Sequence, residues 1–435
     1  MRIAFTGVFD IDNYGDHLFP IIFADNLKRR HIEAELFLFS PFSGEQGFGQ
    51  HQPIYALRDL EYYHKKYQFD AIVVGGGEIL HFFSFQQKNH QGEKVDYPIY
   101  ETWLNPSLVG KKYGIPVIWN NPGCPFEFKG YQKYIAENLV KDVSYISVRN
   151  QFSYNEIRKL SGNVHLSVDT AFDLPNVYPK SELKCPIGKK YVVFHCNHYI
   201  GKDYYDEALE ELLKLSEEYE IVLLPLAYTN DDHEIAQRLY NDSNKRFIFP
   251  DKELSMKQIV SYFAYTDLYI GVSFHGAISA FSYGNPVIAY DFFHNNKTKD
   301  LYTLIDMQEQ YIDEIGCLHQ AIEKSKLLGT EVIVQKYAKI EVQMEQHFAN
   351  VIQVIQNAVE IDAEKEYLSF SDVLNQFSVL LRELSHEYQE KTGLIEKYKS
   401  EAQYNLLNWQ QCSNELVETY NKYQSLKEKM DDSAV

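Results

Sequence analysis

The stretch Asp267–Lys299, DLYIGVSFHGAISAFSYGNPVIAYDFFHNNKTK, decides how the chain folds. Leu268–Val272 is a short apolar run of the kind a buried parallel strand needs, and Ser273-Phe274-His275-Gly276 breaks it. From Ala277 to Tyr283 the small and apolar residues suit a helix packed on a sheet. Gly284-Asn285-Pro286 ends that helix, and Val287–Tyr290 reads as the next strand. Such a strand, helix and strand unit puts Ser273, His275, Asp291, Lys297 and Lys299 along the carboxyl edge of one sheet, where open α/β folds bind ligands. The turn from Ser273 to Gly276, with free backbone N–H groups and a helix dipole behind it, favours an anion. The competing reading is a core histidine beside a solvated lysine loop.

Outward from this unit the same alternation repeats. Arg2–Val8 reads as a first strand, followed by FDIDNYGDHLFP and a helix to about Arg30. Asn13 and Gly15 permit a tight turn, and Asp16 is either the helix cap or a carboxylate pointing into a cleft. Ile32–Phe39 is a second strand and Phe69–Val74 a third, ending in Gly75-Gly76-Gly77-Glu78. These glycines let backbone approach a ligand or a second loop, but lack the spacing of a phosphate-binding signature. His81–Tyr100 is expected as a surface loop lining the cleft. Tyr113–Asn120 ends at Asn121-Pro122-Gly123. Tyr145–Val148 ends at Arg149, a good carboxylate or phosphate fork, or else an exposed partner of an acidic neighbour. Pro175–Lys190 reads as a linker, after which strands and helices resume from Tyr191.

The expected fold is therefore α/β, with two doubly wound Rossmann-like domains facing a cleft in the GT-B manner and a C-terminal helical or coiled-coil tail. The expected boundaries are 1–178, 186–360 and 365–435. A net charge of −19 over 435 residues argues against a nucleic-acid or anionic-membrane surface, so a phosphate-bearing ligand must meet a local basic pocket. Five scattered cysteines without CxxC spacing point to reduced structural thiols. No set of His, Asp and Glu has metal-ligand spacing. The start MRIAFTGVFD shows no charged-then-apolar leader and no apolar span is long enough to cross a bilayer, which makes a cytoplasmic protein the expectation.

DNYGDHLFP, FDAIVVGGGEIL, YISVRNQFS with VHLSVDTAFDL, and DLYIGVSFHGAISAFSYGNPVIAYDFFHNNKTKDL, taken in order, resemble the polysaccharide pyruvyl transferase family from Met1 to roughly Tyr311. The resemblance implies a GT-B-like fold and transfer of a pyruvyl group from phosphoenolpyruvate, as co-substrate with no further cofactor, to a sugar diol. The acceptor would be a cell-surface glycan or its precursor, met at the inner face of the membrane where it is lipid-linked. It implies His275 as proton carrier and Arg149 as donor ligand. Lys297 would meet phosphate or carboxylate, with Ser273, Gly276 and Lys299 beside it, and Asp16 or Asp291 would act as base on the acceptor hydroxyl. Asn13, Gly15, Gly76, Gly77, Glu78, Asn121 and Asp291 are the acceptor or cleft candidates. Many members carry an Arg two residues before this His, where this chain has Ser273. A nucleotide-sugar glycosyltransferase or a non-catalytic scaffold would share the same layout.

Val332–Val359 reads as a long helix that packs back across the domains. From Val373 to Tyr423 apolar and aromatic residues recur at steps of three and four. That stripe points to a coiled coil or hairpin and to homo-oligomer formation or an assembly partner, against a helix lying on the protein's own surface.

Overall fold

In the computed structural model β1 (Arg2–Thr6) is the axis of the first sheet, with Ile3, Ala4 and Phe5 fully buried, as a strand covered on both faces requires. The structure describes residues 1–88, 94–228, 231–250 and 253–358, together with 391, 397 and 398. The expected tail at 365–435, with the oligomer expectation resting on it, falls outside these except for those last three positions.

After β1 come α1 (Tyr14–Arg29), β2 (Glu35–Ser40), β3 (Gly44–Glu45), β4 (Pro53–Ala56), α2 (Leu60–Tyr67) and β5 (Ala71–Val74). A hairpin of β6 (Phe85–Lys88) and β7 (Lys94–Tyr97) precedes α3 (Glu101–Tyr113), β8 (Val117–Trp119) and α4 (Tyr131–Val140). Then follow β9 (Tyr145–Val148), α5 (Gln151–Arg158), β10 (Val164–Leu166) and α6 (Leu174–Val177). The first sheet runs β10-β9-β8-β5-β1-β2-β4-β3, parallel except where β3 meets β4.

The second half contains β11 (Tyr191–His195), α7 (Lys202–Leu215), β12 (Glu220–Leu223), α8 (Asp232–Asp242) and α9 (Met256–Tyr265). It continues with β13 (Leu268–Gly271), α10 (Phe274–Ser282), β14 (Val287–Tyr290), α11 (Asn296–Leu304), β15 (Tyr311–Ile312), α12 (Leu318–Lys326) and α13 (Thr330–Ala358). Its sheet is parallel throughout, ordered β12-β11-β13-β14-β15.

Three elements escape sequence periodicity. α3 carries Pro106 and Gly110 inside it, both helix breakers, yet Trp103 is fully buried and a Cβ on Gly110 would lie 2.1 Å from Val117. Packing overrides propensity there. β4 opens on Pro53, which a strand tolerates at its first residue. The expected surface loop at 81–100 instead carries the hairpin β6–β7, and its Tyr97 is buried with the hydroxyl donating to Asp10.

One apolar core runs through both halves. It joins Phe19 and Phe23 of α1, Phe263 of α9, Phe281 of α10 and a stripe on α13, while separate cores back the far faces of the two sheets. The α13 stripe is Ile333, Ile340, Met344, Phe348, Val351 and Ile355, a helical face repeated along 29 residues. Polar bonds lock the same helix: the Tyr337 hydroxyl donates to Phe172 O at 2.8 Å, and Arg30 pairs with Glu345 at 2.6 Å. Burial pushes His347 down to about 3, so its ring is neutral and Nε2 donates to Asn120 Oδ1 at 2.8 Å.

Phe348→Ala, which empties a core position only 1% exposed, is expected to cost about 3–5 kcal/mol. Urea unfolding monitored by circular dichroism measures it, and a loss below about 1 kcal/mol would show that α13 is dispensable to the core.

Candidate active site

Each sheet changes direction beside the strand it starts from. The chain passes from β1 to β2 on one side and returns to β5 on the other, and it passes from β11 to β12 before returning to β13. The loops leaving β1 and β5 therefore diverge, as do those leaving β11 and β13, and such divergence opens the crevice where parallel sheets bind ligands.

The β13 loop ends at Ser273, whose Oγ accepts from the Gly276 N–H at 3.1 Å and so caps α10. This helix starts at Phe274, three residues before the run of small residues indicates, and His275 stands in its first turn. Facing it, α1 is capped by Asn13, whose Oδ1 accepts from the Gly15 N–H at 3.1 Å. Gly15 lies directly on the imidazole: a Cβ there would come within 1.9 Å of His275 Nδ1. Asp16 is therefore not the cap. Its carboxylate packs beside Gly77, whose φ of +96° only glycine adopts at ease and whose Cβ would sit 3.2 Å from Asp16 Oδ1. Burial pushes the Asp16 carboxyl up to about 6 despite the opposing pull of His275, Arg149 and Lys297.

Arg149 follows β9 and is no exposed partner. Its Nη1 donates to Asp169 Oδ2 at 2.6 Å, with the two side chains 3% and 2% exposed. The guanidinium also stacks on Phe274, Cζ lying 5.0 Å from the ring centre. Burial alone would push the Asp169 carboxyl up, but Arg149 and His275 hold it well below the usual carboxylate range. His275 Nε2 lies 3.6 Å from the same Asp169 oxygen. Arg149 Nε and His275 Nε2 are both buried without a hydrogen-bond partner. At the rim Lys297 reaches across from α11 to Glu78 in the β5 loop at 2.7 Å. Burial raises Glu78, and Lys297 and Arg149 together bring it below its ordinary value.

The structure thus brings together His275, Asp16, Arg149, Lys297, Glu78, Gly15 and Gly77, with Asn13 and Ser273 holding the two helix starts. Five other candidates stand differently. Asp291 is consumed locally, accepting from the N–H groups of Phe293 and Asn295 and from the Tyr311 hydroxyl. Lys299 is exposed, because two residues along a helix turn it away from Lys297. Gly76 and Gly276 are small for packing, since a Cβ would strike the Phe19 ring at 2.3 Å and the Tyr269 hydroxyl at 2.5 Å. Asn121, at φ +58°, donates from its amide nitrogen to Val168 O at 2.7 Å, while its buried Oδ1 makes no hydrogen bond. Asp169 is the residue that sequence reading passes over. Its signal was a lone carboxylate at a strand end within VHLSVDTAFDL, the element next to the one that ends in Arg149.

A buried guanidinium with an unused N–H, a lysine at the rim and two helix starts make an anion site. An imidazole beside two unlike carboxylates can move protons there.

The sequence model of the polysaccharide pyruvyl transferase family matches residues 13–292. Among solved structures the chain is similar to UDP-N-acetylglucosamine 2-epimerase from Rickettsia bellii, with TM-score 0.52, 10% identity, and 82% of this chain and 97% of that one covered. It is also similar to MnaA of S. aureus with UDP, at TM-score 0.51 and 12% identity, covering 84% and 98%. For UDP-GlcNAc 2-epimerase from Methanocaldococcus jannaschii the TM-score is 0.50 and the identity 11%, covering 76% and 94%. At such identities the likeness shows the fold alone, the two-domain GT-B arrangement. No curated protein sequence matches the chain.

The raised Asp16 makes a prediction about stability. Its folded-state pKa of about 6 exceeds the ordinary value of 3.8, so ionisation destabilises the folded chain as pH rises through that window. Asp16→Asn should therefore unfold at the same midpoint as wild type near pH 4 but gain about 2 kcal/mol at pH 8. Thermal unfolding across pH reads this, and a variant that gains nothing at pH 8 refutes the burial of that charge.

Proposed function

The chain belongs to the polysaccharide pyruvyl transferase family, and from that premise we propose that its site moves a pyruvyl group from phosphoenolpyruvate to two hydroxyls of a sugar, closing a ketal and releasing phosphate. The observation that carries this reading is the pair of buried, unpartnered nitrogens, Arg149 Nε and His275 Nε2, on either side of Asp169. A multiply charged small anion entering there meets a guanidinium N–H, an imidazole and the rim lysine at once.

In the proposed reaction His275 gives a proton to the terminal enol carbon, and the positive charge that develops on the neighbouring carbon is met by an acceptor hydroxyl. Asp16, whose pKa of about 6 suits exchange near neutrality, takes the hydroxyl proton as the C–O bond forms. The bond to phosphate then breaks, its electron pair leaving with phosphate, and the second hydroxyl adds to the same carbon. That hydroxyl returns a proton to His275, and the proton on Asp16 leaves with phosphate. Asp169, held ionised by Arg149, faces the imidazolium that makes the first transfer. Ser273 supplies a helix cap and no charge, so Arg149 and Lys297 are the positive charges assigned to the donor. In this reading a donor anion displaces Glu78 from Lys297 and lies between Arg149 of the first domain and Lys297 of the second, and the acceptor approaches from the β1, β5 and β8 loops. The acceptor is a glycan or its lipid-linked precursor.

Phosphate release from phosphoenolpyruvate with a panel of hexose acceptors tests this, with donor binding followed by calorimetry. His275→Ala should lose at least about 100-fold of the acceptor-dependent release while still binding donor. Arg149→Lys, which keeps a charge beside Asp169, should weaken donor binding about tenfold or more. A protein that neither binds phosphoenolpyruvate nor releases phosphate, yet consumes a nucleotide-sugar, is a glycosyltransferase. One that does neither is a scaffold.

A further inference from the structure

A second histidine and carboxylate meet inside the second domain, away from the Asp169 cluster. His195 is the last residue of β11, and its Nε2 lies 2.8 Å from Asp232 Oδ2 at the start of α8, with the two side chains 5% and 2% exposed. The same oxygen accepts from two backbone groups, Leu226 N–H at 3.2 Å and Ala227 N–H at 2.8 Å. A carboxylate so placed fixes both the ring tautomer and the path of the loop after β12.

That loop pairs with the first domain through its backbone. Leu226 O accepts from the Tyr14 N–H at 2.8 Å, and Tyr228 N–H donates to Asp12 O at 3.1 Å. Ala227 faces Asn13 as an antiparallel bridge. Asn13 caps α1, and the Tyr14 hydroxyl shares a hydrogen bond of 2.8 Å with Ser279 on α10. The next two residues are Gly15, seated on His275, and Asp16. One carboxylate oxygen in the core of the second domain is thus linked, through one short loop, to the first turn of α1 that meets the imidazole.

We propose that the His195–Asp232 pair is a positioning device that holds segment 226–228 in register and so sets the approach of Asp16 to His275. His195 touches none of the groups assigned to proton transfer and acts only through backbone. The inference rests on the proposed reaction for its kinetic readout alone, since its structural readout needs no turnover.

The test compares His195→Gln, whose amide nitrogen can stand where Nε2 stands, with His195→Phe, which keeps the ring volume without the donor. In His195→Phe the Tyr14 and Tyr228 amides should exchange with deuterium at least about tenfold faster, and kcat should fall about 10- to 100-fold with the KM for phosphoenolpyruvate within about threefold. His195→Gln should stay within about threefold of wild type in both. Asp232→Asn gives the same exchange readout if His195→Phe does not fold. Unchanged exchange at Tyr14 in both His195→Phe and Asp232→Asn overturns the proposal, as does an equal loss in the Gln and Phe variants. Faster exchange in proteins that never turn over phosphoenolpyruvate, wild type included, upholds the positioning role and overturns the reaction instead.

Discussion

Everything in the site depends on one missing side chain. Gly15 lets the first turn of α1 rest on the ring of His275, and any Cβ would force the two apart. Two helix starts, each the positive end of a dipole, thereby meet at one place. Such a junction favours negative charge, and Asp16 and Asp169 both stand close to His275. In a chain of net charge −19 this gathering of positive ends and cations runs against the field of the whole protein. Long-range steering cannot bring an anionic ligand in, so short-range fit must.

The two carboxylates nearest His275 are chemically alike and electrostatically opposite. Asp169 has a guanidinium at hydrogen-bond distance and stays ionised despite its burial. Asp16 has the same cations only at longer range, and burial wins. One carboxylate held charged and one whose proton comes off near neutrality is the arrangement on which the proposed division between an electrostatic and an acid–base role rests. The Arg149–Asp169 contact costs desolvation of both ions, and cutting either partner would strand the other in a dry interior. The site is thus also a place where the fold is brittle.

Much of this was legible in the sequence. The alternation of apolar runs with glycine and asparagine breaks located nearly all the parallel strands, and strand ends marked His275, Arg149 and the Gly75–Glu78 loop. What escaped had physical causes. α3 contains proline and glycine that only tertiary packing tolerates, so periodicity could not show it. Asp16 fits a helix cap as well as a cleft, and only the geometry of Asn13 decides between them. Lys297 and Lys299 look equivalent in the chain but point to different sides of a helix. Asp169 carries no pattern of its own, since its meaning comes from a guanidinium twenty residues away.

The closing helix α13 has a consequence for how the protein is made. Its residues Tyr337, Glu345 and His347 complete polar groups of the first domain at Phe172, Arg30 and Asn120, while its apolar stripe closes the shared core. On a ribosome those partners emerge first and wait for well over a hundred residues of further synthesis. At about 5–20 residues per second that interval lasts roughly ten seconds or more. Throughout it the nascent first domain presents an uncovered apolar face and a buried-type asparagine open to water. The second domain must be translated before the first can be finished.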